Sequence, residues 1–342
     1  MPTWLDLPLQ FKISVVEILD YKSRSRFRQC STSEKLIVDS CPVYLEYVKL
    51  EKTSNSDYQI PRAFPWKNLQ CTQKQIDSTF QFSIKEYDEF YPETCSLTTS
   101  SFSEFLSLFE SPFSSVRKLV LQGFEYQKSK ITFLNQMKQS ILSKREANYD
   151  LFDLKIRAKS ICWLLPGQVG KELLETLELF DSNVLRRLCI TESIPLKIFE
   201  KLVRTEHWLK LERVMLVSRM DVSIDYFLHL KRYDIKLKEL KAADVWRAVQ
   251  KMLFNDSPRL SGFTIFYSNT LTVEEIFKHT IIPMTDEPLK ETWLTARHTQ
   301  RFRMTTDVHI FVLLFLDGWI QGFVGRAIDI NQEYSRFMNN FF

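Results

Sequence analysis

The sequence predicts an α/β fold in three parts: a short helical N-terminal segment, a central series of strands and helices, and an antiparallel C-terminal end. Three observations lead to this prediction. Apolar residues recur at helical spacing near the N-terminus, a short strand pattern recurs along the middle of the chain, and two apolar runs flank Asp317-Gly318. Each of these patterns is typical of a different kind of element.

The N-terminal segment contains an apolar helical stripe. Its members fall at offsets 0, 4, 7 and 8 and are Phe11, Val15, Ile18 and Leu19. Ile13 and Val16 lie on a second side of the same helix, and Pro8 suits its start because a first-turn N–H has no intrahelical partner. Residues 20–25 predict a break and residues 25–29 a second short helix. Ser31 or Ser33 would cap a third helix that ends before Pro42.

Three short helices bury too little apolar surface to be stable alone. A helix that is apolar on two sides needs a further surface to pack against. The segment is therefore interpreted as a docking element. The alternative is that its apolar residues only cover the domain that follows.

Composition is that of an ordinary soluble protein. The chain has 342 residues, 44% of them hydrophobic and 26% charged, with a net charge of +4, which suggests about two domains. The six cysteines include no C-x-x-C pair, which favours free thiols in a reducing compartment. We expect no signal peptide, and the most apolar window, residues 309–324, is interrupted by Asp317-Gly318 and too short for a membrane span. We therefore expect a cytoplasmic or nuclear protein, or both.

A pattern of the form apolar-x-x-apolar-x-apolar recurs through the middle of the chain. Its central members are Leu119, Ile161, Leu188, Val214 and Phe263, with a weaker copy at Ile235. Helical patterns lie between most of the copies, and a strand–helix unit of roughly 20–29 residues is the period of leucine-rich repeats, in which stacked units share one core. The positions where a regular repeat has Asn or Cys hold Phe124, Pro166, Ser193, Arg219 and Ser268. An irregular leucine-rich-repeat-like α/β solenoid is therefore expected, with an ordinary α/β or α+β domain as the alternative.

Five regions follow from these patterns. Residues 1–45 form the helical segment, 46–66 a linker rich in polar residues and proline, 67–149 the first strand/helix units, 150–282 the repeat domain and 283–342 a C-terminal β cap. Residues 79–84 predict a strand, and Ser101 and Glu104 have capping-box spacing before a helix. Residues 290–307 predict two strands, and the runs around Asp317-Gly318 predict a hairpin that closes the end of the stack.

Residues 7–36, LPLQFKISVVEILDYKSRSRFRQCSTSEKL, resemble an F-box. They depart from the usual form in having Gln10 in place of an acidic residue and a more basic stretch at residues 21–24. The resemblance implies that residues 1–45 dock a Skp-type adaptor and, through it, a cullin scaffold. The residues that it places in the adaptor interface are Leu7, Pro8, Phe11, Val15, Ile18 and Leu19.

Residues 203–253 are similar to the FTH domain found behind F-boxes in a large nematode family. Three landmarks carry the similarity, in the family's order and spacing: Glu206-His207-Trp208, Phe227-Leu228-His229 and Arg232-Tyr233-Asp234-Ile235. The joint resemblance covers residues 5–45 and roughly 150–282. It implies a non-catalytic substrate-recognition subunit of an SCF-type cullin E3 ubiquitin ligase, with a protein client bound by the repeat domain.

The sequence contains no motif for catalysis, metal binding or a cofactor. None of the five histidines stands at a metal-ligand spacing, and no nucleophile elbow, Walker loop or dinucleotide fingerprint is present. We therefore expect no enzyme activity, metal or cofactor. Two alternatives stay open. One is a stand-alone interaction scaffold that has lost the adaptor contact, motivated by Gln10 and the basic second helix. The other, less favoured, is an RNA-binding protein that uses the basic stretch at residues 231–241.

Overall fold

A computed structural model gives the fold of the chain. It describes residues 4–19, 21–52, 80–85, 106, 109–110, 113–122, 127–147, 153–254, 257–278, 296–304 and 308–339. The residues divide into two units, the first consisting mainly of the N-terminal part up to Lys159 and the second mainly of the part from Ser182 onwards. The fold is mixed α/β, as the sequence predicted, with a large mixed sheet.

The first unit begins with short helices. They are a 3-10 turn at Trp4–Asp6, α1 at Leu9–Ile18, α2 at Tyr21–Arg28 and α3 at Thr32–Ser40. Pro8 is the residue before α1, and Ser31 caps α3 by accepting hydrogen bonds from the backbone N–H groups of Ser33 and Glu34. The predicted break at residues 20–25 is wrong, because α2 already begins at Tyr21.

Strands and one long helix complete the first unit. They are β1 at Tyr44–Lys52, β2 at Phe80–Lys85, β3 at Ser115–Gln122 and α4 at Gln127–Ala147. β1 pairs antiparallel with β2 and parallel with β3. The predicted start of a linker at residue 46 is wrong, because residues 46–52 belong to β1 and place Val48 and Leu50 in the core. The rest of the linker and the capping box at Ser101 lie outside the described residues.

Parallel strands form the first half of the second unit. They are β4 (Ala158–Leu164, with residues 160–163 in this unit), β5 (Arg187–Ile190), β6 (Arg213–Met220), β7 (Arg232–Leu237) and β8 (Gly262–Phe266). Each pairs with the next in chain order. Every central member of the recurring apolar pattern between Ile161 and Phe263 lies on one of these strands, so the pattern located them correctly.

Helices connect these strands. They are α5 at Lys171–Leu177, α6 at Leu196–Leu202, α7 at Glu206–Lys210, α8 at Ala242–Phe254 and α9 at Val273–Phe277. Thr272 and Glu275 form a capping box at the start of α9. α7 was not predicted, and β6 connects to β7 through a 3-10 turn at Ile224–Phe227.

The C-terminal part of the second unit is antiparallel. It contains β9 at His298–Arg303, β10 at His309–Leu316, β11 at Trp319–Arg326 and α10 at Ile330–Asn339. The predicted hairpin is confirmed: β10 and β11 pair around Asp317-Gly318, and Gly318 has a φ of 74°, which favours glycine. β11 also pairs with β8, so the strand order is β8-β11-β10-β9. Of the two strands predicted in residues 290–307, β9 is observed, and residues 290–295 and 305–307 lie outside the described residues. α10 was not predicted.

The second unit has apolar groups on both faces of its strands. Helices cover one face, where the rings of Phe199, Phe227, Tyr233 and Phe263 contact one another in series. α10 packs on the other face at the antiparallel end, where Phe337 stacks on Phe323. Within the described part of the chain, no helix combines the length and the apolar character that crossing a bilayer requires.

Candidate protein interface

Helix α1 has an inner side that packs on α3. Val16 is completely buried, and with Ile37, Val38 and Cys41 it forms a small core against which Ile13 and Phe27 also pack. Burial raises the pKa of the Cys41 thiol. The second apolar side that the sequence indicated, Ile13 and Val16, is therefore the side that holds the helices together.

The other side of α1 is apolar and open to solvent. Phe11 is 52% exposed and Ile18 83% exposed. Pro8 is exposed, and Leu7, Val15 and Leu19 are partly exposed. None of the six residues predicted to contact an adaptor is buried by this chain. A partner that covered them would gain about 1.5–3 kcal/mol for each large apolar side chain fully removed from water.

Two further leucines of the N-terminal helices are exposed and were not predicted. Leu9 is 62% exposed at the start of α1, and Leu36 is 67% exposed on α3. Leu9 lies beside Pro8 in the predicted set, and Leu36 precedes the buried pair Ile37-Val38. We call the set Leu7, Pro8, Phe11, Val15, Ile18 and Leu19 the N-terminal apolar surface. Its composition matches the helix-in-groove type of protein recognition, in which apolar anchors from a helix enter a partner.

Arg24 fixes the three helices relative to one another. It is 7% exposed, and its guanidinium donates to the backbone oxygens of Glu17, Leu19 and Pro42 at 2.8–3.0 Å. The bonds to Glu17 and Leu19 satisfy carbonyl groups at the end of α1, which have no intrahelical partner. The basic stretch at residues 21–24 thus supplies a structural residue.

Two polar contacts hold the start of the chain and the second helix against α3. Trp4 donates its indole N–H to Glu34 at 3.1 Å and meets the ring of Phe27 edge-on at 5.0 Å. Arg28 forms a bidentate pair with Asp39. Because the inner contacts fix the backbone, the outer apolar side chains are presented on a preorganised surface.

In the second unit, the first two family landmarks meet in an aromatic core. Trp208 is 1% exposed, and its indole N–H donates to the backbone oxygen of Tyr226 at 3.2 Å. The ring of Trp208 lies 5.8 Å from that of Phe227, and Nε2 of His229 lies 3.0 Å from the backbone oxygen of Trp208. Glu206, in the same landmark, pairs with Lys210 on the helix surface. These landmarks tie α7 to the 3-10 turn that leads into β7.

The third landmark contains a buried ion pair. Arg232 is 1% and Asp234 6% exposed, with 3.4 Å between Nε and Oδ2. Arg232 also donates to the backbone oxygen of Phe337 at 2.7 Å, and its guanidinium lies 3.9 Å from the centre of the Phe337 ring. Burial raises the pKa of Asp234 and lowers that of Arg232. The positive charge of Arg232 opposes the first shift, and the negative charge of Asp234 opposes the second. The pair therefore anchors α10 to β7.

The basic stretch at residues 231–241 is not an open basic face. Lys231 pairs with Glu212 at 2.8 Å and Lys238 with Asp221 at 3.7 Å. The ammonium of Lys236 lies 5.6 Å from the ring of Phe266. Arg232 lies on the same side of β7 as Lys236 and is buried beneath α10. Glu212, Asp221 and Phe266, which these lysines contact, are all side chains of the same unit.

The described histidines do not assemble with metal ligands. His229 contacts a backbone oxygen, and His298 lies 3.3 Å from the Gln300 amide oxygen. The part of the chain that the structure describes contains no group of three or more His, Cys, Asp or Glu side chains that could hold a metal ion. His279 lies outside that part.

Comparison with known proteins identifies the central region. Residues 155–280 match the family model of the FTH domain, which confirms the similarity predicted from the three landmarks. A search of curated proteins finds no match to the chain. The match includes the parallel strands β4–β8 and ends shortly after α9. Arg232, inside the match, contacts Phe337 of α10, which lies outside it. Residues 155–280 of this chain are an FTH domain.

Proposed function

We propose that this chain is the non-catalytic substrate-recognition subunit of an SCF-type cullin E3 ubiquitin ligase. The observation that carries the proposal is the N-terminal apolar surface, on which Phe11 and Ile18 are more than half exposed. The FTH domain supports it, because this family suggests a protein-interaction role associated with F-boxes.

In this role each part of the chain has a distinct task. Residues 1–45 act as the F-box, docking a Skp-type adaptor and through it a cullin scaffold, while the FTH domain and the strands after it hold a protein client. Strands β4–β8 run parallel in chain order, as they would in an irregular leucine-rich-repeat-like solenoid. Such a subunit needs no cofactor, because it acts by raising the effective concentration of a client lysine near the ubiquitin-loading enzyme. The proposal places it in the cytoplasm, the nucleus or both.

The double variant Phe11→Ala with Ile18→Ala tests the adaptor contact. Both side chains are exposed, so their truncation should leave the fold intact. If both are anchors in the adaptor, the loss is about 3 kcal/mol, or roughly a hundredfold in affinity. The measurement is a pull-down of a Skp-type adaptor co-expressed with the full chain. The matched control is Leu196→Ala with Leu209→Ala, which removes two leucines that are 52% and 65% exposed in the FTH domain.

Adaptor binding by the first variant equal to that of the control would refute the proposal. The variant Leu7→Ala with Pro8→Ala tests the start of the same surface and should also abolish the pull-down. A chain that fails to bind any adaptor while remaining soluble by itself would instead fit the stand-alone scaffold. We do not favour an RNA-binding function, because Lys231 and Lys238 of the basic stretch contact carboxylates of the same chain.

A further inference from the structure

Two cations and two aromatic rings form one row across β6, β7, β8 and β11. Arg219 is in register with Lys236, Lys236 with Phe266, and Phe266 with Trp319. Side chains directly opposite one another on neighbouring strands leave a sheet on the same face. The four therefore stand side by side at intervals of about 4.8 Å. We call them the cation–aromatic row.

The cation–aromatic row is open to solvent. Arg219 is exposed, Phe266 is 38% exposed, and the other two members are partly exposed. Helix α10 contacts the same face of the sheet at Arg232 and Gln321, which lie four and two residues from the row along their strands. The row therefore lies beside α10 rather than beneath it.

The ring of Phe266 stands between its two neighbours in the row. Trp319 stacks on it, with 5.4 Å between ring centres and 15° between ring planes. The ammonium of Lys236, from the strand on the other side, lies 5.6 Å from the centre of the same ring. These neighbours occupy the ring faces, so the ring edge is the part that meets solvent. Because a ring edge carries partial positive charge, it adds to the attraction of the two cations for a negative group.

The acidic residues nearest to the row along its strands are already paired with other cations. Each stands two residues from a member of the row, and the pairs are Asp221–Lys238, Asp234–Arg232 and Asp317–Arg297. Within the described residues, neither Arg219 nor Lys236 forms an ion pair, and the contact of Lys236 with a ring does not neutralise its charge. Like charges directly opposite each other destabilise a sheet. A carboxylate from a ligand would therefore relieve this repulsion.

We propose that the cation–aromatic row binds a short client segment in which acidic residues stand about three positions from apolar residues. This rests on the proposed function and names the class of client. The cation pair and the aromatic pair lie two strand intervals apart, about 9.6 Å, and an extended peptide spans this distance in about three residues. Arg219 can hold a carboxylate through paired, charge-assisted hydrogen bonds, and the rings can cover an apolar side chain. Single-stranded RNA fits less well, because a base needs an open ring face to stack on.

Fluorescence anisotropy with the full-length chain and the labelled peptide Gly-Asp-Asp-Ser-Leu-Leu-Gly tests this proposal. The variant Arg219→Gln with Lys236→Gln should weaken binding at least about tenfold, because two charged contacts are lost. The matched control, Lys201→Gln with Arg204→Gln, removes one lysine and one arginine from exposed positions in and after α6. It should change binding by less than about twofold.

Changes in the peptide and in the aromatic pair separate the charged from the apolar contacts. A peptide with asparagine in place of both aspartates should bind at least about tenfold more weakly to the wild type. A peptide with serine in place of both leucines should lose about threefold or more. Phe266→Ala should weaken binding of the original peptide by a similar factor, whereas Phe254→Ala, at a side chain that is 67% exposed, should change it by less than about twofold.

If the double glutamine variant melts below the wild type, Arg219→Gln alone is measured, and a loss of about threefold or more is expected. The proposal is overturned if the wild type does not bind the peptide, if the α6 control loses as much affinity, or if the asparagine peptide binds as tightly. Tighter binding of mixed-sequence single-stranded RNA that is lost in the same variant would also overturn it. The assay contains no adaptor, so this proposal and the adaptor proposal can fail independently.

Discussion

Replacing Phe337 by alanine tests whether the C-terminal helix belongs to the same folded unit as the FTH domain. The family match ends at residue 280, yet the Phe337 ring is 0% exposed and stacks on Phe323 with 5.4 Å between ring centres. On its other side the ring lies 3.9 Å from the guanidinium of Arg232, which is inside the match. The residue thus joins α10, the hairpin and β7.

The expected loss of stability follows from these contacts. Truncating a fully buried phenylalanine to alanine costs about 3–5 kcal/mol. A cation–π contact removed from water adds about 2 kcal/mol, whereas the hydrogen bond from Arg232 to the backbone oxygen of residue 337 can persist. Because these contacts share atoms, they do not add fully, and we expect a loss of about 5 kcal/mol. That is comparable with the whole stability of many domains.

Urea unfolding of the full-length chain measures this loss, followed by the tryptophan emission to which the buried Trp163 and Trp208 of this unit contribute. The matched control is Phe254→Ala, which makes the same change at a side chain that is 67% exposed and should cost less than about 0.5 kcal/mol. A Phe337→Ala protein within about 1 kcal/mol of the wild type would refute the reasoning. It would mean that the FTH domain does not depend on α10.

Three further predictions concern single sites. Hydrogen bonds from Arg259 lower the pKa of Glu333, so this carboxylate stabilises the fold above its unfolded pKa and loses that effect as the pH falls through its lower folded value. Glu333→Gln should therefore be destabilising in urea unfolding at pH 7 and less so towards pH 4. Cys30 is exposed, unlike the other described cysteines, and peptide mapping after brief alkylation should find it modified before them. Gly322→Ala should lower the stability in urea unfolding by about 1–3 kcal/mol, because its Cβ would lie within 3 Å of two phenylalanine rings. The control Gly170→Ala meets only a flexible carboxylate and should cost less in the same measurement.

The strands were predictable where the same short apolar pattern recurs along the chain. Ile161, Leu188, Val214 and Phe263 each stand in the same apolar pattern, and each is buried on a parallel strand. The hairpin was predictable for a local reason, because Asp317-Gly318 supplies the positive φ that a tight turn requires. In both cases the signal lies within a few residues of the element that it predicts.

Three elements, α7, α10 and β1, were missed or only partly assigned, and each for a different reason. α7 has five residues, too few for helical periodicity to show. In α10, Ile330, Tyr334 and Phe337 do stand at helical offsets of 0, 4 and 7, so this helix could have been found from its buried stripe. β1 was assigned in part to a linker because the polar residues that follow it dominate the composition of that stretch.

The charged side of β7 could not be predicted from its neighbours in sequence. Alternation along the strand indicates that Arg232 and Asp234 lie on the same side of it, but it does not show that both are buried. What buries Arg232 is Phe337, about a hundred residues later in the chain. Local patterns carry no information about such a contact, because the apolar cover and the charged group belong to separate elements.

The family landmarks are largely engaged within the chain, and this determines where a partner can bind. Trp208, Phe227, Arg232 and Asp234 are all buried, so the features by which the FTH domain is recognised define its fold. Substituting them would unfold the domain rather than change its partner. Under the proposed function, specificity for a client would then come from exposed positions that the landmarks do not include.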